Sequence, residues 1–569
     1  MWKDLALKII LLYPIRRALT WPIRRQLAIF DRACAQPHKV QEDLLRRIIA
    51  FHRDTDFGRD HGFATIQTAD DFRQQVPVAG YERLEPYINK VRRGETRALL
   101  ADERVLMFAL TSGTTATRKY IPVTPQYLAD YRRGWHFWGL RAYRDHAAIR
   151  LRPIVQFSGD WDEQRTEADI PCGAITGLTA QMQKRLIRWV YCVAPSSARI
   201  KDVRAKYYVT LRLSLPRRVG MIVAANPSTL VNWARLGDQE KEALIRDMHD
   251  GTLSQHHDIP PDIRADLAGR LKADPKRARE LEEIVRRTGT LLPKDYWSPE
   301  KLLIGTWTGG TMGAYLRQFP RIYGDVMIRD VGLIASEGRM TIPIENGTPS
   351  GVLDVTSHYF EFIPEDEIDS PQPTVLGAHE VQEGRNYYII PTTKYGMYRY
   401  HICDLVRVTG FYEQTPLVEF LSKGSHFANI TGEKLSEYQV AQAMKEVAHE
   451  LNLGITCYSL APCWDEDTPY YGLFVEQGDI ANPEQGEQLI TLLERRLTQI
   501  NDEYASKRQS LRLGPIRLEL LPPGTWHQWD RQRLARTGGT LEQYKHPCLI
   551  ADLRFRESMP VIAESGTRV

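Results

Sequence analysis

The sequence predicts an α/β protein with a large N-terminal domain of mixed sheets and helices and a smaller, mobile α/β C-terminal domain. Its 569 residues exceed the size of a usual single hydrophobic core, which indicates more than one domain. Apolar residues recur at helical spacing in some segments and alternate or run together, as in strands, in others. The pattern changes again after residue 421. We expect a basic arm over residues 1–35, a main domain over residues 36–421 and a small lid domain over residues 422–569.

Basic residues are concentrated in the N-terminal arm. In the first thirty residues lysine and arginine outnumber acidic residues by five, whereas the net charge of the whole chain is +4. The rest of the chain therefore lacks the basic surface that binds nucleic acid, and we expect no nucleic-acid partner. The arm also carries Trp2, Trp21 and an apolar run from Ile9 to Tyr13, too short to span a bilayer. It either packs against the main body or makes a weak peripheral contact with a membrane.

Cysteine and histidine positions give no sign of a metal or disulfide scaffold. The seven cysteines have no CxxC spacing, which argues against a zinc module and favours a reducing cytoplasm. His256 and His257 lie in a charged, proline-bounded loop, and His358 precedes Glu361 in an extended segment. We expect no histidine-based metal site.

The first helix predicted in the main domain spans Val40–Ile49, where apolar residues recur at helical spacing. It ends at the turn TDFGRDHGF. An apolar run over residues 105–110 then predicts a buried strand that leads into a hydroxyl-rich loop. We expect a helix directly after this loop, because strand, loop and helix form the usual phosphate-binding unit of α/β domains.

The loop Thr111–Lys119, TSGTTATRK, is the strongest candidate site in the sequence. Hydroxyls and backbone amides of such a loop can point at one anion, Gly113 allows close approach of the backbone, and Lys119 adds a positive charge. It is neither a Walker loop nor a Rossmann turn. A phosphate loop and a polar surface turn both remain open from these residues alone. The candidate ligand contacts are Thr111, Ser112, Gly113, Thr114 and Thr115.

Two carboxylates follow in the second half of the main domain. Residues 236–299 are highly charged and predict solvated helices without chemistry. After them VMIRDVGLIASEGRMTIPI is extended, and Glu337 beside Ser336 ends an apolar run, where ligands of open α/β sheets bind. Asp404 lies between an aromatic run and the strand LVRVTGF. A turn carboxylate and a ligand contact are both open for it.

The small domain starts with a capping box, because Ser436 is followed by Gln439 ahead of an apolar stripe. Strands are predicted at ITCYSLA, YYGLFVE and IRLELL, with a helix opened by Asn482 and Pro483 before the last of them. The segment PPGTWHQWDRQRLARTGGTLEQYKHPCLI has the composition of a loop. Lys545 in this segment has no distinguishing feature by itself.

Together these segments resemble the auxin-responsive Gretchen Hagen proteins, acyl acid amido synthetases within the adenylate-forming superfamily of firefly luciferase and acyl-CoA synthetases. The matching motifs, in the family's order and almost from end to end, are RDTDFGRDHGF, TSGTTATRKYIPVT, IASEG, TSHYFEFIP, YGMYRYHICDLVRVTGF, GEKLSE and GGTLEQYKHP. The resemblance implies that ATP and a small carboxylic acid give an acyl-adenylate, which an amine, usually an amino acid, then attacks to give an amide and AMP. Mg²⁺ is the expected metal, since cations must screen the carboxylate from the polyphosphate.

The resemblance also implies roles for the first two motifs. Ser112, Gly113 and Thr114 fall on the family's first ATP motif as phosphate contacts. Ser336 falls on the serine that meets the α-phosphate, and Glu337 on the glutamate that binds Mg²⁺.

The later motifs carry the remaining roles. Asp404 falls on the ribose-binding aspartate, Lys434 on a lysine that contacts ATP, and Lys545 on the C-terminal lysine expected near the α-phosphate during adenylation. Three departures concern nucleotide affinity, and one of them is Ala116, which replaces the superfamily loop's common glycine. Leu333 replaces the aromatic residue that stacks on adenine, and Cys403 replaces the glycine before the aspartate.

The leading hypothesis is therefore an ATP-dependent ligase of acyl acids and amines. One alternative is a ligase of the same superfamily that forms acyl-CoA or another thioester. The other is a nucleotide-binding regulator that kept the fold, lost turnover and attaches to a membrane through its basic arm. Retention of Glu337, Asp404 and Lys545 argues against that loss. The acid and the amine cannot be identified from the sequence, because side chains from several distant segments line substrate pockets of this kind.

Overall fold

The computed structural model describes residues 13–101, 104–111, 119–150, 152–183, 185–368, 370–423, 427–428, 430, 433, 435–464, 469–509, 513–537 and 544–565. Over these residues the chain is a mixed α/β protein with helices and several sheets, which confirms the predicted fold class. Among the helices described, none is long and apolar enough to cross a membrane.

The helices and strands of the described residues are numbered in chain order. The helices are α1 (Tyr13–Cys34), α2 (Pro37–His52), α3 (Asp56–Asp60), α4 (Ala69–Gln75), α5 (Tyr81–Arg92), α6 (Pro125–Asp145), α7 (Ile175–Gln181), α8 (Arg185–Arg188), α9 (Val203–Ser214), α10 (Pro227–Gln239), α11 (Lys241–Asp250), α12 (Pro261–Ala268), α13 (Pro275–Thr288), α14 (Pro293–Tyr296), α15 (Gly313–Leu316), α16 (Phe319–Tyr323), α17 (Glu437–Glu450), α18 (Pro483–Ile500), α19 (Asp502–Gln509) and α20 (Thr525–Thr537). The strands are β1 (Met107–Thr111), β2 (Lys119–Val123), β3 (Ile154–Gln156), β4 (Gln164–Arg165), β5 (Pro171–Gly173), β6 (Met221–Val223), β7 (Leu303–Gly305), β8 (Met327–Arg329), β9 (Ile334–Ala335), β10 (Gly338–Arg339), β11 (Thr341–Ile342), β12 (Gly351–Leu353), β13 (His358–Pro364), β14 (Leu376–Gly377), β15 (Asn386–Thr393), β16 (Asp404–Tyr412), β17 (Thr415–Lys423), β18 (Phe427–Ala428), β19 (Leu435–Ser436), β20 (Tyr458–Trp464), β21 (Pro469–Glu476), β22 (Arg517–Leu521) and β23 (Ala563–Ser565).

A parallel sheet of order β3-β6-β7-β8 organises one half of the main domain. Its strands are short apolar runs, and helices pack around them because parallel sheets bury both faces. The charged region 236–299 supplies some of these helices. Its residues Leu244, Met248 and Leu281 are buried in that core, so the region is amphipathic rather than only solvated.

A second sheet of order β11-β12-β17-β16-β15-β13-β14 lies in the other half of the main domain. Helix α2, predicted from its apolar stripe, packs on β13. Gln41 of this helix is buried and donates to the carbonyl oxygens of Val355 and His358, each at 2.7 Å. The predicted strands on both sides of Asp404 are confirmed as β15 and β16.

Most of the N-terminal arm is the helix α1, which packs against α6. Phe30 and Cys34 are buried in a core that also contains Phe137 of α6. Arg141 of α6 donates to Asp31 at 2.5 Å. The part of the arm from Ile23 onward therefore packs against the main body, one of the two arrangements that the sequence left open.

The C-terminal segment forms the sheet β20-β21-β22-β23 with α17 and α18 beside it. The capping box of Ser436 and Gln439 is confirmed, and Asn482 caps α18 as predicted. The prediction of a loop after β22 is wrong, because residues Thr525–Thr537 form α20. Glu476 holds the start of this helix by accepting from the backbone amides of Gly524 and Trp526, at 2.9 and 2.8 Å. The helix has few apolar residues, so the sequence showed no helical spacing of apolar residues from which to predict it.

Candidate functional site

The hydroxyl-rich loop joins two strands, which corrects the prediction that a helix follows it directly. β1 and β2 pair antiparallel, with Thr111 opposite Lys119, and α6 begins only at Pro125. Thr124 caps that helix by accepting from the Tyr127 amide at 3.1 Å. The segment after the loop pairs as a strand because Ile121 and Val123 enter the core beside β1. Ser112, Gly113, Thr114 and Thr115 lie outside the described residues, as does the side chain of Thr111.

Tyr400 joins the end of this loop to the two predicted carboxylates. Lys119 Nζ donates to the Tyr400 hydroxyl at 3.4 Å. Burial raises the pKa of Tyr400 above its ordinary value, and the negative charges of Glu337 and Asp404 raise it further. Both carboxylates therefore act electrostatically on this hydroxyl. Sequence reasoning quoted Tyr400 within a motif but assigned it no role.

Ser336 and Glu337 form the tip of the hairpin β9–β10, rather than the carboxyl end of an open parallel strand as the sequence suggested. Tyr127 donates from its hydroxyl to the Ser336 carbonyl oxygen at 2.9 Å, which fixes the tip. Glu337 is buried, with 7% of its surface exposed. Gly338 follows at φ +145°, and a Cβ there would lie 2.6 Å from His358 Nε2, so a glycine is required.

Asp404 is the first residue of β16 and is buried. It pairs with Lys423 of β17. The preceding Cys403 has φ +61°, a left-handed conformation that favours glycine, which implies some backbone strain at this residue. His401 Nδ1 lies 3.1 Å from Cys403 Sγ.

Leu333, which replaces the expected adenine-stacking residue, lies just before the hairpin β9–β10. Its backbone amide donates to Thr341 Oγ1 at 2.8 Å, and its half-buried side chain packs against the core of the main domain. Its contribution to adenine binding stays a prediction.

Lys545 lies at the carboxyl edge of the parallel sheet, on the aromatic rings of Trp307 and Phe420. Its Nζ is 4.5 Å from both ring centroids. Phe420 belongs to β17 and pairs with Val406, two residues after Asp404. The structure therefore brings Lys545 to the strand next to the one that Asp404 opens. Lys434 lies outside the described residues.

Asp330, at the carboxyl end of β8, was missed by the sequence reasoning. Its carboxylate accepts from the Gly332 amide at 2.6 Å and from the Thr308 amide and hydroxyl at 2.6 and 2.8 Å. The pKa of Asp330 is raised to about 6. Burial is the cause of the rise, and it outweighs the hydrogen bonds and the charge of Lys545, which act in the opposite direction. The available signal was an acidic residue directly after a short apolar strand.

A group of potential metal ligands in the described part of the chain was also not expected. Cys457, Asp530 and His546 each offer a ligand atom, and these atoms lie within 4.8 Å of one another. This group belongs to the C-terminal segment and includes a neighbour of Lys545.

Comparison with known proteins identifies matches along most of the chain. Three family models match: the GH3 family N-terminal domain over residues 26–328, the GH3 family central domain over residues 351–423 and the GH3 family C-terminal domain over residues 438–554. The jasmonoyl–L-amino acid synthetase JAR6 of Nicotiana attenuata is 24% identical over 550 residues, covering 91% of this chain and 92% of the relative. The probable indole-3-acetic acid-amido synthetase GH3.12 of Oryza sativa subsp. japonica is 25% identical over 575 residues, covering 92% and 93%.

Solved structures support the fold. The GH3.15 acyl acid amido synthetase matches with a TM-score of 0.83 at 20% identity, covering 96% of this chain and 97% of that one. A 2-hydroxyisobutyryl-CoA ligase in the postadenylation state matches with a TM-score of 0.53 at 13% identity, covering 93% of each chain. At these identities the likeness establishes the fold alone.

Proposed function

Because this chain belongs to the GH3 family, we propose that it is an ATP-dependent acyl acid amido synthetase, which adenylates a small carboxylic acid and transfers the acyl group to an amino acid, releasing AMP. The observation that supports this most strongly is the convergence of Lys119, Glu337 and Asp404 on Tyr400, with Lys545 beside the neighbouring strand. Lys119 and the two carboxylates come from three distant segments of the chain and act on one hydroxyl, which supports a site for a charged nucleotide.

The carboxylates suit two different parts of the nucleotide. Asp404, held at the start of a strand, would accept hydrogen bonds from the two ribose hydroxyls. Glu337, at the rigid hairpin tip, would hold Mg²⁺, since carboxylate oxygens are preferred ligands of this ion. The donor set fits a divalent cation, because both carboxylates raise the pKa of one hydroxyl and so concentrate negative charge there. Mg²⁺ would neutralise phosphate charge.

The two lysines are assigned to the phosphates of the same nucleotide. Lys545 would stabilise the charge that develops on the α-phosphate as the acid attacks, and Lys119 would lie at the base of the phosphate loop. We assign Thr111, Ser112, Gly113, Thr114, Thr115 and Ser336 to phosphate contacts and Lys434 to ATP. The proposal keeps the boundary between the main domain and the lid domain near residue 421. It also keeps the prediction that the lid domain turns after adenylation to admit the amine.

A pyrophosphate-exchange screen tests the reaction class. With Mg²⁺ and a panel of carboxylic acids, we expect exchange of pyrophosphate into ATP only when a suitable acid is present. Amino acids, and not CoA, should then accelerate AMP release; the opposite result would favour a thioester-forming ligase. ATP binding without exchange for any acid would support a regulator.

Asp404→Asn tests the assigned ribose contact. We expect ATP binding to weaken by roughly 1–3 kcal/mol, the range for a hydrogen bond to a charged group, with an unchanged thermal melt. Glu413→Gln is the matched control, since this exposed carboxylate lies just beyond the other end of β16. Equal affinities for the two variants in calorimetric titration would contradict the role of Asp404.

We keep the cytoplasmic location and a weak membrane contact of the arm as predictions. Vesicle sedimentation of the full chain, with anionic and neutral lipids compared, tests the contact.

A further inference from the structure

Three loops at the carboxyl edge of the parallel sheet meet the segment that carries Lys545. Asn226 follows β6, Trp307 follows β7 and Asp330 follows β8. The Asn226 side-chain amide donates to the Tyr544 carbonyl oxygen, directly before the lysine. Carboxyl edges of parallel sheets are where α/β proteins bind ligands. Here this edge holds a side chain of the same protein.

Two aromatic rings contact the lysine ammonium. Lys545 Nζ lies 4.5 Å from the ring centroids of Trp307 and Phe420, inside the distance of about 6 Å at which a cation is attracted to a ring. Both rings are held in place. Trp307 Nε1 donates to the Gly332 carbonyl oxygen at 3.0 Å, and Phe420 is paired with Val406 within the seven-stranded sheet.

The carboxyl group of Asp330 interacts electrostatically with the same ammonium group. Its carboxylate is nearly fully buried, and Lys545 is close enough to act on it electrostatically. Its hydrogen bonds to Thr308 orient the loop that bears Trp307. Two aromatic faces and a buried carboxylate together form a receptor suited to an ammonium group.

Asp530 of α20 holds the same segment from the other side. Its Oδ1 accepts from the Tyr544 hydroxyl at 2.7 Å and lies 2.9 Å from His546 Nδ1. His546 Nε2 lies 3.1 Å from Ser459 Oγ, and Trp526 packs on the imidazole at 4.6 Å between centroids. The residues on both sides of the lysine are therefore tied to one carboxylate.

Cys457 completes the group that could hold a metal with Asp530 and His546. Both ring nitrogens of His546 and one carboxylate oxygen of Asp530 already have hydrogen-bond partners within the protein. Burial, the largest cause, raises the pKa of the Cys457 thiol to about 12, which disfavours the thiolate that a metal requires. These observations favour positioning over metal binding.

We propose that Trp307 and Phe420 form an aromatic seat for the Lys545 ammonium and that Asp530 fixes the lysine-bearing segment through Tyr544 and His546, so that the lysine is held beside the nucleotide site. Trp307, Phe420 and Asp530 are positioning residues, since they act through Lys545. The expected effect of these residues on reaction rate rests on the proposed adenylation. The contact of Lys545 with the two rings does not depend on that proposal.

Chemical labelling tests the seat without any substrate. Acetic anhydride is applied to the full chain, and the acetylation rates of Lys545 and of the exposed Lys276 are compared by mass spectrometry. We expect Phe420→Leu to raise the Lys545 rate by about 2- to 30-fold, the effect of losing one cation–ring contact, and Phe420→Tyr to leave it near the wild-type value. The Lys276 rate should be the same in all variants.

The seat is wrong if Lys545 in the wild type reacts as fast as Lys276, or if Phe420→Leu and Phe420→Tyr react alike. Trp307→Leu against Trp307→Phe repeats the comparison should Phe420→Leu fail to fold. Asp530→Ala should also raise the Lys545 rate if the anchor is correct. One equivalent of zinc in the purified chain, lost in Cys457→Ser, would overturn the anchor and assign that group to a metal.

Exchange kinetics test the positioning role. We expect Phe420→Leu to slow acid-dependent pyrophosphate exchange by about the same 2- to 30-fold, with an unchanged KM for ATP, and Phe420→Tyr to restore the rate. Normal exchange in Phe420→Leu, despite faster labelling, would refute positioning. No exchange in the wild type with any acid would refute the proposed function, and labelling alone would then decide the seat.

Discussion

Asp330→Asn should change how the stability of the protein depends on pH. Burial raises the pKa of Asp330 from an ordinary value of 3.8 to about 6. The folded protein therefore binds a proton more readily at this position than the unfolded chain does. Below pH 3.8 the Asp330 carboxyl is protonated in both the folded and the unfolded state, so it does not reduce the free energy of unfolding. As the pH rises through 6, the folded state must hold a buried charge, and stability is lost.

The two pKa values give the size of the effect. Linkage gives a loss of about 1.4 kcal/mol between pH 5 and pH 7.5, out of about 3 kcal/mol in total. Asp330→Asn cannot titrate, so the free energy of unfolding of the variant relative to the wild type should rise by about 1.4 kcal/mol over that interval. Hydrogen bonds lost in the variant shift its curve at every pH alike and leave this difference unchanged.

Urea unfolding followed by tryptophan fluorescence at pH 5 and 7.5 provides the measurement, with Asp325→Asn as a control beyond the other end of β8. Lys545→Met should raise the pKa of Asp330 further, because the neighbouring positive charge is removed, and so enlarge the difference between wild type and Asp330→Asn. Parallel curves for wild type and Asp330→Asn would refute the perturbed carboxyl. If Lys545→Met leaves the pH-dependent difference caused by Asp330→Asn unchanged, the electrostatic interaction between Asp330 and Lys545 is refuted.

Two further predictions concern buried polar groups away from the site. Glu361→Ala should destabilise the fold by about 3–5 kcal/mol, because the buried carboxylate accepts from Arg73 and Arg399 at 2.9 and 2.7 Å and both guanidinium groups would lose this ion pair; Glu361→Gln should cost less in the same urea titration. Burial lowers the pKa of His52 to about 4, so its contribution is present above pH 6.5 and is lost as the pH falls towards 4. His52→Gln should therefore remove about 2 kcal/mol of the stability lost between pH 7 and pH 5, and an unchanged pH profile would contradict a neutral, buried imidazole.

Features set by neighbouring residues could be predicted from the sequence. The capping box at Ser436 and the helix that begins at Pro37 depend on side chains a few residues apart, and both were found close to where they were expected. The strand that starts at Asp404 was also expected, because the segment around it alternates and ends in a turn.

Features set by distant contacts could not be predicted. The segment after the hydroxyl loop becomes a strand because β1 lies beside it, and α20 forms because Glu476, far earlier in the chain, accepts from its first amides. The contact of Lys545 with Trp307 joins residues more than two hundred positions apart, and neither has a local signal. The family resemblance identified Lys545 as a candidate site residue, but it did not predict the contacts of Lys545 with aromatic rings.

The charged residues of the proposed site lie on two kinds of segment. Asp404, Glu337 and Asp330 are buried at strand ends or at a hairpin tip, where hydrogen bonds to the backbone fix the segments that carry them. Lys119 adjoins the hydroxyl loop, and Lys545 is on the C-terminal segment. This division suits two half-reactions at one site. On the proposed roles, the ribose and metal contacts persist through both steps, and the carboxylates assigned to them lie on sheets. On the proposed mechanism the Lys545 charge is needed beside the α-phosphate in the first step only. Its ammonium can leave the two rings at a cost of about 0.5–2 kcal/mol per ring, while Asp530 still ties the residues on both sides of it.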